Sequence, residues 1–80
     1  MNVTVCYYGA FRSEVTYGQE KIETDAETLE ELFEALKRKY HFDLEIVDCL
    51  FAVNDTYVNC LTQRISDNDT ISFVSPMAGG

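Results

Sequence analysis

The sequence predicts an α+β domain in which one helix packs on one face of a mixed β-sheet. Three observations predict it. Segments with a period of two lie near both ends of the chain. One amphipathic stripe of helical period lies between them. Turn-forming residues separate short apolar runs in the second half. At 80 residues there is room for one core. Hydrophobic residues make up 46% of the chain, which suffices for that core and argues against intrinsic disorder. A stability of roughly 4–12 kcal/mol is expected at this size.

Val3, Val5 and Tyr7 alternate with Thr4, Cys6 and Tyr8, which predicts a strand over residues 2–8. Gly9 interrupts the alternation, and residues 9–18 read as a loop. Residues 19–24 alternate around Ile22 and predict a more polar strand at a sheet edge. Thr28 followed by Glu31 is a capping-box pattern. Leu29, Leu32, Phe33, Leu36 and Tyr40 form one helical stripe. Glu30, Glu31 and Glu34 come early and Lys37, Arg38 and Lys39 late, matching the helix dipole. A helix over 29–40 follows.

Residues 41–48 are mixed and acidic and read as a connection with little regular structure. Residues 50–54 are a short apolar strand, and Asn54, Asp55 and Thr56 supply turn chemistry. Residues 58–65 are expected to return as a short polar strand. Residues 66–69 make a second turn, and residues 70–75 alternate again as the last strand. Pro76 lacks an N–H and is expected to end the pairing. The order is β-β-α-β-β-β, with the first strand and a later one parallel and central. This is the β-grasp arrangement of ubiquitin. Residues 1–75 are the expected domain, and residues 76–80 a flexible, extended C-terminal tail. If Val3, Val5, Tyr7, Ile71 and Phe73 face the helix, then Cys6, Tyr8, Ser72 and Val74 face away. Tyr8 and Val74 would then form an apolar area beside the tail.

The formal net charge is −8. That sign disfavours nucleic acid and anionic membranes as partners and favours basic protein surfaces. No apolar run is long enough to span a bilayer, and no signal peptide is visible, so a cytoplasmic protein is expected. Cys6, Cys49 and Cys60 are odd in number and widely spaced, which suggests neither a disulfide framework nor a metal site. They read as buried or half-buried thiols, and three are too few to ligate a [2Fe–2S] cluster. Glu30, Glu31 and Glu34 read as a solvated helix face rather than acid–base catalysts.

The chain ends Ser75-Pro76-Met77-Ala78-Gly79-Gly80, and its last ionisable side chain is Asp69. Two terminal glycines carry no side chains, so such an end can thread a narrow channel. A carboxylate is a poor electrophile until ATP converts it to an acyl-adenylate. Sulfur attack on that adenylate gives a thiocarboxylate, and attack by a lysine amine gives an isopeptide.

Four stretches carry a resemblance that covers essentially the whole chain. They are Tyr7 and Tyr8 with Arg12 and Glu14; Thr28-Leu29-Glu30; Val53-Asn54 with Val58; and Asp67-Asn68-Asp69 running into residues 71–80. On these the sequence resembles the MoaD family, the sulfur-carrying small subunits of molybdopterin synthase within the ubiquitin-like MoaD/ThiS superfamily. Asn68 stands where that family usually has glycine, and Asn tolerates positive φ.

The resemblance implies a chain that is not an enzyme on its own and binds no cofactor or metal. A MoeB-like enzyme would use ATP to adenylate Gly80, which would then become a thiocarboxylate. Pro76, Met77, Ala78 and Gly79 would thread into a MoaE-like large subunit, in a heterotetramer of two small and two large subunits. Sulfur would pass to cyclic pyranopterin monophosphate to form molybdopterin. Tyr8, Arg12 and Val74 match partner-contact positions. A related carrier for thiamine or tRNA thiolation, or a ubiquitin-like protein modifier, is the alternative.

Overall fold

The structure is a computed structural model that describes residues 1–9, 11 and 18–75. Strands β1 (Asn2–Gly9), β2 (Gln19–Glu23), β3 (Leu50–Val53), β4 (Thr56–Val58) and β5 (Thr70–Ser75) form one sheet in the order β2-β1-β5-β3-β4. Helix α1 (Leu29–Tyr40) packs on one face. β1 and β5 are parallel and central, and β2 is the polar edge. This is the predicted β-grasp fold.

The predicted alternation decides which side chains enter the core. Val3, Val5, Tyr7, Ile71 and Phe73 are buried beneath Leu29, Leu32, Phe33 and Leu36 of α1. All five phenylalanines of the chain, Phe11, Phe33, Phe42, Phe51 and Phe73, are buried in this one core. Phe11–Phe42 and Phe51–Phe73 meet edge to face, with ring centroids 5.3 and 5.2 Å apart. Such pairs contribute about 0.5–1.5 kcal/mol each beyond the area they bury.

Helix α1 begins as its sequence predicts. Thr28 Oγ1 accepts the Glu31 N–H at 3.2 Å. The Glu31 carboxylate reaches one residue further back than an ordinary capping box and accepts the Glu27 N–H at 2.7 Å. At the other end His41 takes φ 58, and its N–H donates to the Lys37 carbonyl at 2.8 Å.

Two expectations need correction. The return strand predicted over 58–65 is β4 at Thr56–Val58, and residues 59–65 are not strand. Asn54 and Asp55 both take positive φ, 50 and 71, as a two-residue hairpin turn requires, so pairing resumes at once with Val53 opposite Thr56. The chain then leaves the sheet to close the start of α1. The Leu29 and Glu30 N–H groups, orphans of the first turn, donate to the Gln63 and Leu61 carbonyls at 3.0 Å. Ile65 enters the core beside them.

The connection over 41–48 is also more ordered than expected. Phe42 is buried, Leu44 and Ile46 pack against the core, and Ile46–Asp48 form a 3₁₀ turn. The second turn behaves as read: Asn68 has φ 70, and its N–H donates to the Asn2 carbonyl.

Candidate functional site

The site is the sheet face that α1 leaves uncovered. Tyr8 lies opposite Val74 across β1 and β5, and Val74 lies opposite Leu50 across β5 and β3. Paired residues project to the same side, so Tyr8, Val74 and Leu50 make one row. A second row, two residues along, is Cys6, Ser72, Ala52 and Tyr57. Tyr8, Leu50 and Tyr57 are 48%, 50% and 67% exposed, and Val74 is half-buried. Tyr8, Ala52, Asp55, Tyr57, Ser72 and Val74 enclose a shallow depression of about 430 Å³.

The structure therefore brings Tyr8 and Val74 together, as their alternation implies. Arg12, Pro76, Met77, Ala78, Gly79 and Gly80 lie outside the described residues. Sequence reasoning missed Leu50 and Tyr57. Their sidedness depends on the β3–β5 and β3–β4 registers, which are long-range facts.

Charge is segregated between the two layers. Glu30, Glu31 and Glu34 are exposed on α1, away from this face. The rows of Tyr8 and Cys6 carry no charged side chain in β1, β3, β4 or β5. Lys21 and Glu23 appear only at the β2 edge, opposite Thr4 and Asn2, and Asp55 stands at the hairpin turn. An apolar, nearly uncharged patch on an acidic protein has the composition of a protein-docking surface.

Tyr8 is set by its neighbour on the opposite face. The Tyr7 and Tyr40 hydroxyls both donate to Glu20 Oε2 at 2.6 Å, and Lys39 Nζ lies 4.0 Å from Glu20 Oε1. These bonds tie β1, β2 and the end of α1 together beneath the row of Tyr8. Burial, and then the hydrogen bond to Glu20, push the Tyr7 phenol well above its ordinary value. The folded phenol thus holds its proton more tightly than the unfolded one. The associated stability is intact below about pH 10 and is lost as pH rises beyond it, at up to about 1.4 kcal/mol per pH unit. Urea unfolding at about pH 9 and about pH 11 is expected to show this loss, and Tyr7→Phe is expected to reduce it.

The cysteines divide by environment. Cys6 is buried, Cys49 half-buried and Cys60 exposed, so the expectation of sheltered thiols fails at Cys60. Its Sγ lies 2.9 Å from Thr62 Oγ1, and hydrogen bonding there lowers its pKa. Among the described residues no group of three or more His, Cys, Asp or Glu is placed to hold a metal, and no helix is long and apolar enough to cross a membrane.

At the end of the central pair, Gly9 lies opposite Ser75, the last described residue before Pro76. The ThiS family model matches residues 5–80, spanning this junction and both rows of the open face. The chain belongs to the ThiS family. ThiS-type proteins are small, non-catalytic, ubiquitin-like sulfur carriers. Three solved structures show the likeness in three dimensions. Putative molybdopterin converting factor subunit 1 from Pyrococcus furiosus is 26% identical with a TM-score of 0.79, over 94% of this chain and 97% of that one. The complex of subunits 1 and 2 of molybdopterin-converting factor from Helicobacter pylori contains a chain 29% identical, TM-score 0.70, matched over the whole of both chains. SAMP1 from Haloferax volcanii has a TM-score of 0.79 over the whole of both chains at 12% identity, which speaks for the fold alone. A comparison with curated proteins finds no match.

Proposed function

We propose that this ThiS-family chain is the sulfur-carrying small subunit of a molybdopterin synthase. One observation carries the reading. A nearly uncharged apolar face lies beside the end of β5, and Gly79-Gly80 stands four and five residues further on. The likeness to molybdopterin-converting subunits from Pyrococcus furiosus and Helicobacter pylori over nearly the whole chain supports that choice among carriers.

The chemistry is that of the terminal carboxylate. A MoeB-like enzyme activates Gly80: a carboxylate oxygen attacks the α-phosphorus of ATP and pyrophosphate leaves. A sulfur nucleophile then attacks the acyl carbon, a C–S bond forms, the C–O bond to the phosphate breaks and AMP leaves. The Gly80 thiocarboxylate enters a MoaE-like large subunit and donates sulfur to cyclic pyranopterin monophosphate. In this reading Tyr8, Val74, Leu50 and Tyr57 hold the domain on its partner, and Arg12 adds a contact. Residues 76–79 supply an uncharged thread, and the catalytic side chains belong to the partner.

Reconstitution tests it. Thiocarboxylated chain, a MoaE-like large subunit and the pyranopterin precursor are expected to yield molybdopterin in proportion to the thiocarboxylate supplied. Tyr8→Asp with Val74→Asp is expected to cut that yield at least about tenfold by weakening docking. A loaded chain that yields no molybdopterin but delivers sulfur to a thiamine precursor or to tRNA contradicts the reading. So does recovery of Gly-Gly remnants on target lysines with no sulfur transfer.

A further inference from the structure

The apolar surface does not stop at the open face. Leu50, the last member of the row of Tyr8 and Val74, also lines a groove of about 250 Å³ on the flank of the sheet. Ile46 and Val47 of the 3₁₀ turn line it together with Leu50, Phe51, Val58 and Leu61. Val47 is 80% exposed, the highest value among the exposed large hydrophobics of the described residues. The opposite border of the face differs in kind, since β2 brings Lys21 and Glu23 there. A partner seated on the open face therefore meets charge on one side and continuous apolar surface on the other.

The groove also has a sign. Glu45 and Asp48, the chain neighbours of the lining residues Ile46, Val47 and Cys49, are both exposed. Glu45 Oε1 is paired with Lys37 Nζ at 3.2 Å, whereas Asp48 has no ion pair among the described residues. Cys49 stands in the wall and its Sγ–H donates to the Glu45 carbonyl at 3.2 Å. Burial, and then the neighbouring Asp48, push the Cys49 thiol up to about 11, so the wall itself stays neutral at physiological pH. An apolar side chain entering alone would desolvate the groove beside Asp48, whose charge acts on the lining residue Cys49, and a flanking Lys or Arg offsets that cost. A second copy of this chain fits poorly, because each copy carries −8 and presents the same acidic rim.

We propose that the docking partner's footprint runs off the open face around β3 and seats an apolar side chain, flanked by a basic residue, in the groove of Val47 and Leu50. The proposal rests on the docking reading above and locates a specificity contact that β1 and β5 do not supply. Val47 is a specificity residue in this account and takes no part in the sulfur chemistry.

Titration calorimetry of the full chain against a MoaE-like large subunit, at low and high salt, tests it. Val47→Glu is expected to weaken binding at least about tenfold with an unchanged melting temperature. Asp48→Lys is expected to weaken it about threefold to tenfold and to flatten its salt dependence. Lys21→Glu, on the opposite border, is expected to stay within about twofold of wild type. Wild-type affinity in Val47→Glu overturns the inference and leaves the docking reading standing. A loss in Lys21→Glu equal to that in Val47→Glu also overturns it, because the footprint then lies over β2. Self-association of the wild type that Val47→Glu abolishes, with large-subunit affinity unchanged, assigns the groove to a second copy and overturns it. Absence of any wild-type binding overturns the docking reading and this inference with it.

Discussion

A chain extended by even one residue beyond Gly80 is expected to fold as the wild type does and to carry no sulfur. Extension turns the Gly80 carboxylate into an amide, which forms no acyl-adenylate, and moves the terminal carboxylate one residue outward, out of reach of the reacting position. Deletion of Gly80 displaces the carboxylate in the other direction, because Gly79 then ends the chain. That carboxylate is withdrawn by one residue, about 3.3–3.6 Å of extended chain. Misplacing a reacting group by about 1 Å already costs on the order of 10²-fold, so activation is expected to fall below detection. Both changes fall after Ser75, where β5 ends, so thermal melts are expected to match the wild type. The check is thiocarboxylate yield by intact mass, read beside the melt. Sulfur loading of the extended chain, without proteolytic trimming, would refute the role given to Gly80.

The second large effect is expected at Gly9. Its φ is 67, a backbone conformation that disfavours a Cβ, and an added Cβ would be driven into the Ser75 carbonyl oxygen. Neither contact can relax cheaply, because Gly9 and Ser75 are partners at the end of the central parallel pair. Gly9→Ala is expected to cost about 2–4 kcal/mol, a large share of what a domain of this size possesses. Its functional consequence is local as well. Residue 9 follows Tyr8 directly, and Ser75 follows Val74, so parting their backbones disturbs the row of Tyr8 and Val74 at the end of β5. Urea unfolding is expected to show a lowered midpoint, and large-subunit binding is expected to weaken even where the variant remains folded. A variant with wild-type midpoint and affinity would show that β1 and β5 need no close approach there.

These two positions mark how far the sequence could be read. Alternation placed Val3, Val5, Tyr7, Ile71 and Phe73 in the core and put Tyr8 and Val74 on the opposite face, because a period of two is local information. Thr28 and the stripe from Leu29 to Tyr40 bounded α1 to the residue, because caps and periodicity are also local. What escaped was long-range. Residues 59–65 looked like a polar strand, yet their carbonyls are taken by the first N–H groups of α1, some thirty residues away in sequence. Phe42 sat in an acidic stretch without periodicity, and only tertiary packing buries it. Leu50 and Tyr57 joined the candidate surface through strand registers that no local pattern encodes. Asn54 also bridges strands distant in sequence: its Oδ1 accepts the Thr70 N–H and its Nδ2 donates to Asp69 Oδ1, both at 2.9 Å.

The role proposed for Gly80 is tested most directly by the mass of the protein after incubation with ATP, a MoeB-like adenylating enzyme and a sulfur donor. The account predicts exchange of one oxygen for one sulfur, dependent on ATP, on the C-terminal peptide ending at Gly80. Three results would contradict it: an unchanged mass, a gain that needs no ATP, or addition of a whole sulfur atom to the exposed thiol of Cys60 with the C-terminal peptide unmodified.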